Sequence, residues 1–481
     1  MNENEREKPD LSIAEVSPLP PEDAIEELSD VALRILVGAE ISEGQHFNPR
    51  LVRLNLGGIQ QVLHINDLNI AKWAADTAYR EHITPGRLEL MIRSLPYMLE
   101  CRKWIRKLLV NHYSKQDKDL RVVFLRGDNA GCGYWRMKLP GEFIRDEENG
   151  VSLHISDVEI NYETLLQYDV IVVERLFEFE KYYILETLKK AGKKIVYEID
   201  DDVFSLEAHN PAARFYNRFD SQLCIRHCLN LADAVMVTTE RLAKALNIED
   251  KAIIYPNSLD WDMLFYLGTN KDKERTNKRI FWAGSNTHNE DFKVCISSLL
   301  QIMAEREDVE FWIAGSCPPI IRETFQAFMD RLVLIPGMHT EGYFHFLRNN
   351  LDVDIGIIPL ANSVFNHSKS VCKGLEYTLA RIPIIASGFP PYSDIYEHGA
   401  DAMLCQTEED WYNSINQLLE NDAMREELIK EARKKAAAKF NLRTNAAKLA
   451  EDLKMVGEDI VANRIAQKNL QPEDPEVVPV S

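Results

Sequence analysis

A chain of 481 residues is longer than one hydrophobic core ordinarily organises, so two or three domains are expected. Its 45% hydrophobic and 27% charged residues are the balance of a soluble globular protein, and no apolar run reaches the length of a membrane span. The net charge of −20 excludes a protein that grips nucleic acid through its overall field, although a local basic cleft remains compatible with it.

The acidic opening MNENEREKPD has the features of neither a signal nor a transit peptide, which leads to a cytoplasmic assignment. The 8 cysteines include no CxxC pair and read as reduced thiols. Cys224 and Cys228 stand one helical turn apart around His227, but no second Cys/His pair completes a ligand set, so no metal is expected.

Residues 1–25 read as a disordered lead-in. Residues 26–118 read as a helical extension suited to packing, oligomerisation or partner docking, and its segment IQQVLHINDLNIAKWAADTAYREH is taken as helix. The basic amphipathic run RKWIRKLLVNHYSK fits a linking helix, with contact at a membrane surface as the other reading.

From Arg121 the pattern alternates strand and helix. RVVFL is followed by a glycine loop, RGDNAGCGYWRMKLP, in which Gly131 and Gly133 allow close backbone approach at the carboxyl end of a first strand. Strands DVIVVERL and IVYEID follow, the second delivering Asp200, Asp201 and Asp202 in a row. Such carboxylates repel unless solvent, a cation or a ligand separates them, and the other reading is an acidic cap on the next turn. A helix is expected over 211–231. Pro256 and Asn257 then mark a crossing into a second α/β domain, whose first strand ends in Gly284 and Ser285.

The second domain closes on FNHSKSVCKGLEYTLARIPIIAS, between the apolar strands VDIGIIP and IPIIAS. A helix starting near Ser368 would turn Val371, Leu375 and Leu379 to the sheet, and Lys369, Lys373 and Glu376 to another face. Two lysines beside a helix N-terminus suit a diphosphate, and a carboxylate two turns in suits sugar or ribose hydroxyls. An ordinary solvated face with i,i+4 pairing gives the same spacing.

The run KSxxKxLEYxxxxIPIIAS resembles the donor motif of retaining, two-domain GT-B glycosyltransferases of the group 1, family 4-like kind. Relatives carry two glutamates eight positions apart; Glu376 matches the second, and Ser368 stands where the first would be. GxGYxRxxxP around Gly131, Gly133, Tyr134 and Arg136, VYEIDDDVF, and AGSxTHxxDF around Gly284, Ser285, Thr287 and His288 resemble a bacterial and phage branch of that group.

The resemblance implies an α/β fold of two Rossmann-like domains facing a cleft, with the helical extension in front. The acceptor domain would be 119–258, the donor domain 259–437, a helix crossing back 438–470 and a tail 471–481. It implies sugar transfer from a nucleotide-diphosphate sugar, with retention and no cofactor or metal. Gly284, Ser285, Thr287, His288, Lys369, Ser370, Lys373 and Glu376 would hold the donor, Pro336, Gly337 and Met338 would border the base, and Asp200, Asp201, Asp202 and Lys373 would serve catalysis. The acceptor is left open among glycan, lipid-linked glycan and protein, with DNA disfavoured by the charge. A nucleotide-sugar epimerase or hydrolase and a non-catalytic sugar- or nucleotide-binding scaffold are the alternatives.

Overall fold

The computed structural model describes residues 51–56, 59–64, 119–128, 131–145, 149–156, 162–260, 275–349 and 351–470. The chain divides into a unit over Met1–Leu109 and a unit over Val110–Ser481. In the first, strands β1 (Leu51–Leu56) and β2 (Ile59–His64) pair antiparallel from Leu51↔His64 to Leu56↔Ile59. The helix expected over Ile59–His64 is therefore a strand. The overlooked signal is the Gly57-Gly58 pair between the two runs, a two-residue hairpin sequence. The lead-in, the tail and the rest of the expected helical extension lie outside the described residues.

The second unit holds two six-stranded parallel sheets. The first contains β3 (Leu120–Leu125), β4 (Val151–Ser156), β5 (Val170–Glu174), β6 (Lys194–Glu198), β7 (Ala234–Val237) and β8 (Ala252–Ile254), in the order β4-β3-β5-β6-β7-β8. The second contains β9 (Lys278–Gly284), β10 (Val309–Gly315), β11 (Leu332–Ile335), β12 (Ile355–Ile358), β13 (Ile384–Ser387) and β14 (Met403–Cys405), in the order β11-β10-β9-β12-β13-β14. In each sheet the order reverses beside the first strand, which opens a crevice at the carboxyl ends.

Central strands such as VIVVE and IGII are buried throughout because helices cover both faces. On one face of the first sheet, Val123, Ile171, Ile195 and Val235 pack with Leu185, Cys224 and Cys228 from helices Phe179–Lys190 and Phe219–Leu231. Cys224 and Cys228 are thus core residues. The other face, with Leu120, Val122, Phe124 and Val170, is covered by Met137 and by Leu442, Ala446, Leu449 and Leu453. These last belong to the helix Leu442–Leu470, which follows the second sheet in sequence yet packs on the first. Gly457 permits that approach, since a Cβ there would lie 2.3 Å from a Leu120 methyl.

The helix expected over 211–231 is broken into Ala213–Tyr216 and Phe219–Leu231. The Asn217 amide donates to the Leu206 carbonyl at 3.1 Å, and Arg218 adopts an extended conformation with ψ 140. The local side-chain bond competes with the helical ladder. Between the sheets the chain crosses twice, and the crossings pair: Leu259 N–H donates to Phe440 O at 2.7 Å, and Leu442 N–H to Leu259 O at 2.9 Å.

Candidate active site

After β12, Ser363 caps the single turn Val364–His367 by accepting from Asn366 N–H at 3.3 Å. The next helix is Cys372–Leu379, starting four residues later than the spacing suggests. Ser368 ends the preceding turn and donates its hydroxyl to Phe365 O at 2.9 Å, which holds residues 368–371 out of the helix. Val371, Leu375 and Leu379 are buried in the core of the second sheet.

Lys373 donates to Ala283 O, and its ammonium lies 5.1 Å from the centre of the Trp282 ring. Burial holds its pKa below the usual lysine range. Gly284 makes room for this arrangement, as a Cβ there would meet Trp282 at 2.6 Å and Lys373 Nζ at 3.1 Å. Lys369 lies with its ammonium 4.6 Å from the Phe365 ring centre.

His288 pairs through Nδ1 with Asp291 Oδ2 at 2.7 Å, while Asp291 Oδ1 accepts from Ala361 N–H at 2.7 Å and Asn366 Nδ2 at 2.8 Å. Burial, with Lys369 and Lys373 nearby, pushes the His288 pKa down to about 4. The ring is then neutral at pH 7. Ser285 and Thr287 share a hydroxyl bond of 2.7 Å beside it. Glu376 accepts from Tyr343 OH at 3.2 Å and from the Cys372 thiol and the Trp135 indole, and burial raises its pKa. Pro336, Gly337 and Met338 are exposed, just past the edge strand β11.

The His288 environment makes a pH prediction. A histidine whose folded pKa falls to about 4 from an unfolded 6.5 leaves the unfolded chain binding more protons between those values, so stability falls on acidification through that window. Thermal unfolding between pH 6.5 and 4 should lose less stability in His288→Gln than in the wild type. Parallel pH profiles for the two proteins would refute the buried neutral ring.

On the opposite lip, Gly127 N–H donates to Glu174 Oε2 at 2.7 Å, and Gly133 N–H to Asp128 Oδ1 at 3.1 Å. A Cβ on Gly133 would sit 2.0 Å from Asp128 O, whereas Gly131 has nothing within 4 Å. Tyr134 and Trp135 pack on Phe344 of the second domain at 5.7 and 5.6 Å between ring centres. Arg136 is not a cleft-surface residue: it is 0% exposed and pairs with Glu198 at 2.6 Å. It also donates to Tyr255 O at 2.5 Å and to Asn257 Oδ1 at 3.0 Å, and Asn257 Nδ2 in turn donates to Ser370 Oγ at 3.0 Å. A hydrogen-bonded relay thus joins the glycine loop, the crossing between the sheets and the turn at Ser370.

The three aspartates divide by environment. Asp202 is buried and caps the following turn, its Oδ1 accepting from Phe204 N–H at 3.2 Å. Asp200 lies 3.6 Å from Arg175 Nε, and Arg175 Nη2 pairs with Asp128 at 2.5 Å. Burial opposes ionisation of Asp200, but Arg175 and the Cys132 thiol hold it below the ordinary carboxylate range. Burial and then Asp200 push Asp201 up to about 6, with Lys369 across the cleft pulling the other way. Burial also raises Glu174 to about 7. Glu174, Arg175 and Tyr343 border this region without having been named from the sequence, whereas Glu198 and Asp291 fall inside VYEIDDDVF and AGSxTHxxDF without an assigned role, and Asn257 was read only as part of the crossing. For Glu174 and Arg175 the available signal was the charged pair ending the apolar strand VIVVE, because a buried sheet tolerates charge only at its ends.

Among the described residues, no group of three or more His, Cys, Asp or Glu side chains is placed to hold a metal ion, and no helix is long and apolar enough to cross a membrane. No family model and no curated protein sequence matches this chain. Solved structures do. Sucrose-phosphate synthase from Thermosynechococcus elongatus matches with TM-score 0.54 at 15% identity, over 71% of this chain and 100% of that one. HepE from Anabaena, solved in complex with UDP-glucose, matches with TM-score 0.52 at 15% identity, over 70% and 100%. The chain has the GT-B glycosyltransferase fold. In GT-B terms, Lys369, Lys373 and His288 stand on the second-domain lip of the cleft and Asp200 and Asp201 on the first-domain lip.

Proposed function

We propose that this protein transfers a sugar from a nucleotide-diphosphate sugar to a hydroxyl acceptor, with retention at the anomeric carbon and without a metal. The observation that carries the reading is the convergence of Lys369, Lys373 and neutral His288 at the start of helix Cys372–Leu379, facing Asp201 across the cleft. Two ammonium groups and the helix end would bind the diphosphate and stabilise the charge that grows as the anomeric C–O bond breaks. Glu376, with Tyr343 beside it, would accept hydrogen bonds from ribose hydroxyls. The acceptor oxygen would attack the same face of the sugar, its proton passing to the departing diphosphate, while Asp200 and Asp201 orient the hydroxyl. HepE, solved with UDP-glucose, supports the donor class at the level of fold.

The second reading is a binding scaffold, favoured by Ser368, whose buried hydroxyl is bonded to Phe365 and offers no carboxylate to a donor sugar. Calorimetry with UDP, GDP, ADP and CMP, then with the sugar conjugate of whichever binds, separates the readings. Diphosphate-selective binding followed by transfer supports the transferase. Binding without turnover on any acceptor points to the scaffold, product from donor alone to an epimerase or hydrolase, and no nucleotide binding refutes the donor site.

A further inference from the structure

The segment Arg214–Asp220 joins the candidate site to the surface and carries an aromatic display that the core does not use. Phe219 is 82% exposed and Phe215 45% exposed, although phenylalanine is among the residues most often buried. Each follows an arginine in the repeat Arg214-Phe215, Arg218-Phe219, and the Arg214 guanidinium stacks 4.5 Å from the Phe215 ring centre. Arg218 is paired with Asp220 but its side chain is still 62% exposed. Between the phenylalanines, Tyr216 turns inward against Phe177, with Arg175, Asp200 and Asp201 as its charged neighbours. Ala213, one turn earlier, packs with Leu206 against Phe365 of the donor turn. Tyr216 thus ties the surroundings of Asp200 and Asp201 to a short segment that bears two exposed phenylalanines.

We propose that this lip is an extended acceptor subsite for an oligosaccharide, Phe215 and Phe219 stacking on sugar rings beyond the one that reacts. The proposal rests on the transferase reading for the identity of the reacting end. A pyranose ring presents a face of C–H groups that suits the negative face of an aromatic ring, and its rim of hydroxyls suits guanidinium donors and carboxylate acceptors. The other occupants fit less well. A net charge of −20 works against an anionic lipid surface. Two phenylalanines fall short of the roughly 800 Å² per partner that a stable protein interface covers. Tyr216, beside Asp200 and Asp201, places this segment next to the groups proposed to orient the acceptor hydroxyl.

The test is an array of neutral and acidic glycans of one to six sugars, probed with the full chain, with UDP calorimetry and phosphatidylglycerol vesicles as separate arms. Binding that strengthens at least tenfold from monosaccharides to oligomers of three or more sugars supports the subsite. So does a tenfold or greater loss in Phe215→Ser/Phe219→Ser, both exposed positions, with UDP affinity unchanged. Failure of the wild type to bind any glycan, or retention of binding by the double variant, overturns it. Vesicle binding lost in the variant, without glycan binding, replaces it with a membrane surface. If glycan binding behaves as described but UDP does not bind, the subsite stands and the transferase reading falls.

Discussion

Lys373→Ala is expected to slow sugar transfer about 100-fold, the scale of removing one preorganised donor from a developing anion, with a smaller loss of nucleoside-diphosphate affinity. The ammonium is held by the Ala283 carbonyl and lies against the Trp282 ring, so its position does not depend on a bound ligand. Burial has already lowered its pKa, and an incoming diphosphate would restore the favourable surroundings that desolvation removed. Lys373→Arg should recover little, because a planar guanidinium does not reproduce a compact ammonium that donates to the Ala283 carbonyl. Lys369→Ala tests the neighbouring ammonium, which lines a cavity with Asn257 and Ser370, and should weaken binding more than it slows the bound complex. Initial rates and isotherms on the same preparations would decide; unchanged turnover in Lys373→Ala would remove it from the mechanism.

The second large effect concerns stability. Arg136→Leu should destabilise the protein by about 3–5 kcal/mol in urea unfolding, because three buried acceptors, Glu198, Tyr255 O and Asn257, would each lose a donor at about 1–3 kcal/mol apiece. Arg136 and Glu198 are both 0% exposed, and the guanidinium also serves Tyr255 O and Asn257. The pH dependence follows from Glu198. Burial pushes its carboxyl up to about 8 from 4.5 despite Arg136. The folded state then binds the extra proton, so this group's contribution to stability declines as pH rises through that interval. Without Arg136 the decline should extend to higher pH. The double change Arg136→Leu/Glu198→Leu should regain the part of the loss that belongs to Glu198, since it removes that buried acceptor along with its donor. A double variant no more stable than Arg136→Leu would show that the lost bonds to Tyr255 and Asn257 dominate.

The two sheets were legible because buried parallel strands leave unmistakable apolar runs, VIVVE and IGII among them, separated by helical spacings. Spacing also grouped Lys369, Lys373 and Glu376 on one side of a short helix. It could not show that the helix begins at Cys372, because that depends on Ser368 bonding back to Phe365. Arg136 lay within a recognised motif, yet its partners come from β6 and from the crossing at Tyr255 and Asn257. Contacts across 62 to 121 positions have no local periodicity to reveal them. The run of three aspartates is instructive in another way: identical residues in sequence have different surroundings, and Asp202 alone takes the capping role.

The paired crossings at Leu259 and Asn441 bear on how the cleft would open. Two crossings bonded to each other would act as a door with both hinge plates screwed to one post, for which swinging costs less than sliding. After each swing Asp201 and Lys369 would meet again in the same register, and so would Asn257 and Ser370. A chain cut before Asn441 would lose one plate, along with the helix that shields Leu120 and Val170. Accuracy of alignment over many turnovers would then rest on a stretch of backbone that touches no substrate.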